Sequence, residues 1–328
     1  MPFNSLLSRT DAAALIPTDV SAEIIKSLAA TNPLLTMARR LPNMSRATRT
    51  MPVMSALATA YFVNGDTGLK QTTELAWAGV NIHAEELAVI VPIPEAVLDD
   101  ADYDIWAEVR PAIEEALGVA ITQAVLYGTN IPASWSTDLG GAGIAIAAGA
   151  GGAAPAGHVV SLAAYADLYE AVLGETAAGV DGVFMVVEAD GFEVTGSLAH
   201  ISMKGQLRNA RDVNGMPIFT GAPAGMPDYR MGGVPIQFPN DGSIVAGNGL
   251  LISGDWSKLV YAMRQDITYK VLDQAVIQDG AGNIVYNLAQ QDMVALRAVM
   301  RLGFALPNPI NRMNQTAATR YPFAIMTA

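Results

Sequence analysis

Asp102–Gly128 reads DYDIWAEVRPAIEEALGVAITQAVLYG. Its apolar residues fall at Ile105, Val109, Ile113, Leu117, Ile121 and Val125, with Ala116, Ala120 and Ala124 beside them. One side is therefore apolar at helical spacing, which predicts a helix over 102–128. Asp102 and Asp104 offer N-cap oxygens, and Glu108 loads the early turns with negative charge. Gly128 supplies the left-handed residue that closes a helix. Pro111 predicts either a kink or a second segment that starts on it. Taken alone, the stretch is a buried core helix, and its flanks decide what it serves.

The chain has 328 residues, enough for one large domain or two intertwined ones. Hydrophobic residues make up 51% and charged residues 15%, so a sizeable core can form and disorder of the bulk is excluded. No run reaches membrane-span length without Gly, Pro or charge, and MPFNSLLSRTD lacks a basic-then-apolar signal pattern. The absence of cysteine removes disulfides, thiolate metal sites and cysteine nucleophiles together. These features read as a soluble protein made in a reducing compartment.

A net charge of −12 opposes sequence-independent DNA binding over the whole surface, but the charge is unevenly spread. Lys26, Arg39, Arg40, Arg46 and Arg49 lie in a span, Ile24 to Gly65, that holds no acid. From Gln71 to Glu115 there are eleven acids and one base, Arg110, and after Glu193 there is no glutamate. Such a split suits basic and acidic segments that meet across copies of one chain.

Upstream of the helix, residues 1–50 carry too little apolar surface to fold alone. Val20 to Ala30 is a short helix candidate, broken at Asn32-Pro33, and Arg39-Arg40-Leu41-Pro42 breaks the chain again. This is an arm lying on its own chain or on a neighbour. Residues 50–82 read as a long hairpin, TMPVMSALATAYFV and TTELAWAGVNIH, around a turn-rich centre at Asn64–Gly68. Arms this long, with few core positions, make sense when packed on another subunit. Leu87 to Ile93 is a short strand stopped by Pro92 and Pro94.

Downstream, LGGAGIAIAAGAGGAAPAG (Leu139–Gly157) lacks the order of a phosphate-cradling loop and reads as a flexible surface loop. Residues 158–250 read as an α/β unit. Leu162 to Leu173 is predicted helical, Val183 to Val187 a buried strand, Phe192 to Leu207 helical, Arg211–Gly215 a turn and Gly233 to Phe238 a strand. Trp256 to Ile277 and Asn287 to Leu306 read as two long strands about a turn at Asp279–Asn283.

In this order the parts resemble the major capsid protein of tailed phages, the Hong Kong 97 fold. The residues that carry the resemblance are Glu86–Gly128, Ser202–Phe219, Ser253–Asp273 and Gln291–Pro309, and their order is what makes it specific. It implies an α+β fold with an N-terminal arm (1–50) and an extended hairpin loop (51–82). A peripheral domain would follow (83–136, with spine helix 102–128), then an axial α/β domain (137–252), further peripheral strands (253–310) and a C-terminal tail (311–328). The implied function is a structural subunit that assembles with itself, as hexamers and pentamers, into an icosahedral head around double-stranded DNA. A separate scaffolding protein, a portal and decoration proteins are implied partners; no membrane, cofactor or metal is. Arg39, Arg40, Arg46, Arg49, Asp66, Lys70 and Glu74 are the expected assembly contacts. Localisation would be the virion, built in the bacterial host cytoplasm.

Some family members carry a scaffolding domain ahead of the arm, whereas here about ten residues precede Leu15-Ile16-Pro17. Some form a lysine–asparagine cross-link helped by a glutamate. Lys70 with Asn283 or Asn287 would be the counterparts, but the late strands lack glutamate, and Asp292 would substitute only if desolvated. No cross-link is expected.

Two other readings stand beside this one. An encapsulin compartment shell would share the fold, and an α/β enzyme with a glycine-rich cofactor loop belongs to another class. Against the enzyme, His83, His158 and His200 lack metal-ligand spacing. The adjacent pairs Glu85/Glu86, Asp99/Asp100 and Glu114/Glu115 point apart on a helix or strand. Ser161, Ser197 and Ser253 lack a Gly-x-Ser-x-Gly setting.

Overall fold

The computed structural model describes residues 32–63, 69–70, 72–99, 105–165, 167–174, 181–210 and 229–328. The first half holds α1 (Pro33–Met37), β1 (Arg39–Arg40), β2 (Thr48–Ala56), β3 (Ala76–His83), β4 (Glu85–Pro94), α2 (Glu95–Asp99), α3 (Ile105–Tyr127) and α4 (Ala133–Asp138). From residue 159 come β5 (Val159–Ser161), α5 (Leu168–Leu173), α6 (Val183–Ala189), β6 (Gly196–Ala199), α7 (Met203–Asn209), β7 (Arg230–Met231), β8 (Val234–Gln237) and β9 (Leu251–Gly254). Then follow β10 (Val260–Leu272), β11 (Val276–Gln278), β12 (Ile284–Asn287), β13 (Met293–Ala305) and β14 (Phe323–Thr327). Among these residues the strands make a four-stranded sheet, β1-β10-β13-β4, and a six-stranded sheet, β5-β14-β9-β6-β8-β7. Two hairpins, β2-β3 and β11-β12, complete them.

The predicted helix is α3, one element with Pro111 inside it rather than at the start of a new segment. Asp102 and Asp104 lie outside the described residues. Ile113, Leu117, Ile121 and Val125 are buried against Leu296, Ala298, Met300 and Leu302 from one face of β13. Each such side chain removed from water contributes about 1.5–3 kcal/mol, and the i, i+4, i+8 spacing lets all four do so on one face. The two long strands are confirmed as β10 and β13, antiparallel from Val260↔Ala305 to Leu272↔Ala295.

Pro92 and Pro94, expected to stop their strand, lie within β4. They face Ala295 and Met293 across β13. Being two apart, both put their missing N–H on the side away from β13. That side is the open edge of the sheet, where no ladder bond is lost.

The second half departs further from the sequence reading. Val183–Val187 is helical, within α6, not a strand; Val183, Phe184 and Val187 fill one buried helical face. Phe192–Leu207 is not one helix but β6 and α7, and the predicted helix over 162–173 begins only at Leu168, after a 3-10 turn. The glycine-rich stretch is hydrogen-bonded and partly buried rather than a free loop. Ile144, Ala145 and Ala154 are buried in the α3 core, and Ala142 N–H donates to Gly151 and Ala153 N–H to Gly143. Residues 311–328 are no tail, because Phe323–Thr327 runs inside the six-stranded sheet between β5 and β9. β9 straddles the expected boundary at 252/253 and pairs with β6 and β14. The expected helix over 20–30 and turn over 211–215 lie outside the described residues.

Candidate assembly surfaces

The described part of the arm is fastened to its own chain. Asn32 accepts the Leu35 N–H at 3.2 Å, and its amide donates to the Gly118 carbonyl at 2.8 Å and Thr122 Oγ1 at 3.0 Å. Asn32 thus caps α1 and ties it to α3 with one side chain, while Leu34 is fully buried. β1 then runs parallel to β10, with Arg39 opposite Val260 and Arg40 opposite Tyr261. Consecutive strand residues point to opposite faces, so the structure separates Arg39 from Arg40. Arg40 donates to Asn43 Oδ1 at 3.3 Å and Arg49 to the Pro42 carbonyl at 2.8 Å. Among the described residues none of Arg39, Arg40, Arg46 and Arg49 pairs with a carboxylate.

The predicted hairpin is β2-β3, in register from Thr48↔His83 to Met54↔Trp77. Its limbs bury little. Trp77 is 63% exposed, Leu69 89%, and Phe62 fully so. Lys70 and Glu74 are exposed on these limbs, and Asp66 lies outside the described residues.

The root of the hairpin is held by α4. Trp135 Nε1–H donates to the His83 carbonyl at 3.0 Å, and the buried Asp138 carboxylate accepts the His83 backbone N–H at 2.8 Å. His83 Nδ1 lies 2.8 Å from the same carboxylate, and Ser134 donates to Glu85 at 2.6 Å. Further out, the Met54 carbonyl accepts the Ile310 N–H at 3.3 Å and the Ala58 carbonyl accepts Arg312 at 2.7 Å. The loop bearing Ile310 and Arg312 is organised by two buried ions. Asp190 accepts the Tyr321 N–H at 2.7 Å and Asn314 Nδ2 at 2.7 Å, and sits 3.0 Å from His158 Nε2. Arg320 donates to the Asn308 and Asn314 carbonyls, each at 3.0 Å. Sequence reasoning missed Asp138, Asp190 and Arg320, because a lone charged residue carries no sign of burial until the chain folds around it.

Nothing here assembles into a reaction centre. Glu85 and Glu86 border a cavity of about 250 Å³ beside α3, but Ser134 occupies the first and Arg301 the second. Asp292 is exposed, not desolvated, and its φ is +48°. The Asn283 amide and neighbouring backbone N–H groups hold the Asp279 carboxyl below the usual carboxylate range. Asn283 is thereby engaged within its own turn, donating to Asp279 at 3.0 Å. Among the described residues no group of three or more His, Asp or Glu converges as for a metal, and no helix is long and apolar enough to cross a membrane.

A core completed around α3, with an apolar hairpin and a set of arginines left uncovered, defines a subunit whose surface is finished by other chains. Residues 12–311 match the model of the phage capsid family, and the chain belongs to that family. Among solved structures, that from Microbacterium phage Oxtober96 is 29% identical with a TM-score of 0.73, over 96% of this chain and 93% of the other. That from Mycobacterium phage Adephagia is 27% identical with a TM-score of 0.72, over 94% and 98%. The capsid of a native GTA particle, 18% identical with a TM-score of 0.60 over 95% and 93%, shares the fold. No curated protein matches the chain. The protein is a structural capsid protein of a tailed phage, a virion component of Hong Kong 97-like fold that assembles with copies of itself.

Proposed function

We propose that this protein forms the head as hexamers and pentamers in an icosahedral shell that encloses double-stranded DNA without reading its sequence. The observation that carries this is the hairpin, whose exposed Phe62, Leu69 and Trp77 are too costly to leave in water on a finished monomer. In this reading residues 1–50 are the arm, 51–82 reach over a neighbour, and 83–136 with 253–310 form the peripheral domain around α3. Residues 137–252 form the axial domain, to which we add 311–328 because β14 lies in its sheet. Arg39, Arg40, Arg46 and Arg49 face carboxylates of neighbouring subunits, and the excess of acid keeps packaged DNA from adhering. A separate scaffolding protein, a portal and decoration proteins are the further partners, and assembly takes place in the host cytoplasm.

Negative-stain electron microscopy of the purified protein, with light scattering across salt concentrations, tests this. Shells, or rings of five and six, are expected. A monomer under every condition, including with the candidate scaffold added, overturns it. The protein performs no chemistry in this reading, cross-linking included. Assembled particles run on denaturing gels as the 34.4 kDa subunit alone; a covalent ladder lost in Lys70→Ala contradicts that.

A further inference from the structure

We propose that the face of the four-stranded sheet turned away from α3 is a trough that receives a carboxylate-bearing segment of a second copy of this chain, with Glu74 of that copy meeting Lys270 and Arg297. The inference deepens the shell-forming role and rests on it.

Alternation along β13 sends Leu296, Ala298 and Met300 into the α3 core and Arg297, Val299 and Arg301 to the opposite face. The register then sets out that face in rows. Lys270–Arg297–Ile90 lies between Leu272–Ala295–Pro92 on one side and Thr268–Val299–Ala88 on the other, with Gln265–Arg301–Glu86 beyond. Both ends are walled. At one end the base of the β2-β3 hairpin crosses Gly303 so closely that a Cβ there would lie 2.4 Å from the His83 carbonyl. At the other, the β11-β12 hairpin covers Met293 and Ala295 through Leu288, Ile277 and Tyr286. Between the walls Lys270, Arg297, Ile90, Ala88 and Thr268 are exposed.

Lys270 and Arg297 stand directly opposite each other, a like-charge cross-strand pair that opposes the sheet. None of the eight positions around Arg297 in this grid bears a carboxylate, and Glu86 in the farther row is paired with Arg301. Among the described residues both charges lack a counter-ion. The chain cannot supply one from its own hairpin, which is held through Met54 and Ala58 to Ile310 and Arg312 and so to the six-stranded sheet. A second copy can. Glu74 is exposed and unpaired among the described residues, and Leu75 (47% exposed) and Trp77 (63%) beside it match Ile90 (42%) in the trough.

The test is charge swapping in the full chain. Folding is checked by circular dichroism, and assembly is scored by sedimentation and microscopy at about 0.1 M salt. Wild type is the control; if it forms no shells, the shell-forming role fails before the trough is at issue. Arg297→Glu and Glu74→Lys should each lower the assembled fraction by about tenfold or more, and the double variant should recover to within about threefold of wild type. Arg297→Glu that assembles normally, or a double variant no better than the singles, overturns the proposal. Should Arg297→Glu not fold, Arg297→Gln serves. It removes the like-charge clash and should raise subunit stability while lowering assembly; unchanged assembly refutes the contact.

Discussion

Tyr269 is the residue at which this fold leaves a debt in hydrogen bonding: its hydroxyl is the one buried side-chain polar atom without a partner among the described residues. Burial, reinforced by Glu114 and opposed by Arg110, pushes its pKa up to about 12. Burial likewise pushes Tyr127 up to about 12, against the Val245 N–H it accepts, and raises Tyr321 as well. In each case the folded chain holds the phenol neutral while the unfolded chain releases the proton near pH 10. The stabilisation is complete below about pH 10 and is lost as pH rises towards 12. Tyr269→Phe removes an unsatisfied donor and keeps the ring, so we expect it to stabilise the subunit by about 1 kcal/mol at pH 7. It should also flatten the alkaline loss, both read from urea unfolding at pH 7 and pH 11. A Phe variant less stable than wild type at pH 7 would mean that the hydroxyl has a partner.

At the level of elements, the glycine-rich stretch is a cap for α3. The last carbonyls of a helix need donors from outside it. Here Ile144 N–H donates to Val125 at 3.0 Å and Ala145 N–H to Leu126 at 2.9 Å. That approach requires glycine at Gly143, where φ is +124° and a Cβ would lie 2.7 Å from the Leu126 carbonyl oxygen. Gly143→Ala should cost about 3 kcal/mol, whereas Gly149→Ala, which points into open space, should change thermal unfolding little. Equal effects at the two sites would refute the capping role.

Composition alone could not show this, because glycine and alanine signal freedom or close packing with the same letters. For the same reason VFMVV was ambiguous: five apolar residues suit a buried strand, yet Val183 and Val187 are also one helical turn apart. Long periodic elements were legible. α3, β10, β13, the β2-β3 hairpin and the Asp279–Asn283 turn all stand where the pattern placed them. Of the assembly contacts, the arginines and the hairpin limbs were legible as an imbalance of charge and of apolar burial. Their fastening to Asn32, Asp138 and Asp190 was not, since it depends on partners up to 131 residues away.

For the whole molecule, the governing quantity is a net charge of −12 carried by every copy. Bringing copies together at that charge is opposed by a repulsion that reaches about 10 Å at 0.1 M salt and about 3 Å at 1 M. Contact pairs at about 4 Å are screened less when partly buried, so they can outlast the general repulsion as salt rises. Arg39 is exposed at the edge of the four-stranded sheet and has no carboxylate among the described residues. Facing a neighbour's acid, it would be one of the few attractive terms in that balance. Arg39→Glu would turn it into a second repulsion. Assembly of this variant should then fall by about tenfold or more at 0.1 M salt and return towards wild type near 1 M, where both repulsions are screened. Arg39→Gln should lie between the two. The readout is light scattering of assembling protein across that salt range, with subunit folding checked at each point. A variant whose yield and salt curve both match wild type would remove Arg39 from the interface and leave the net charge to be offset by the other arginines alone.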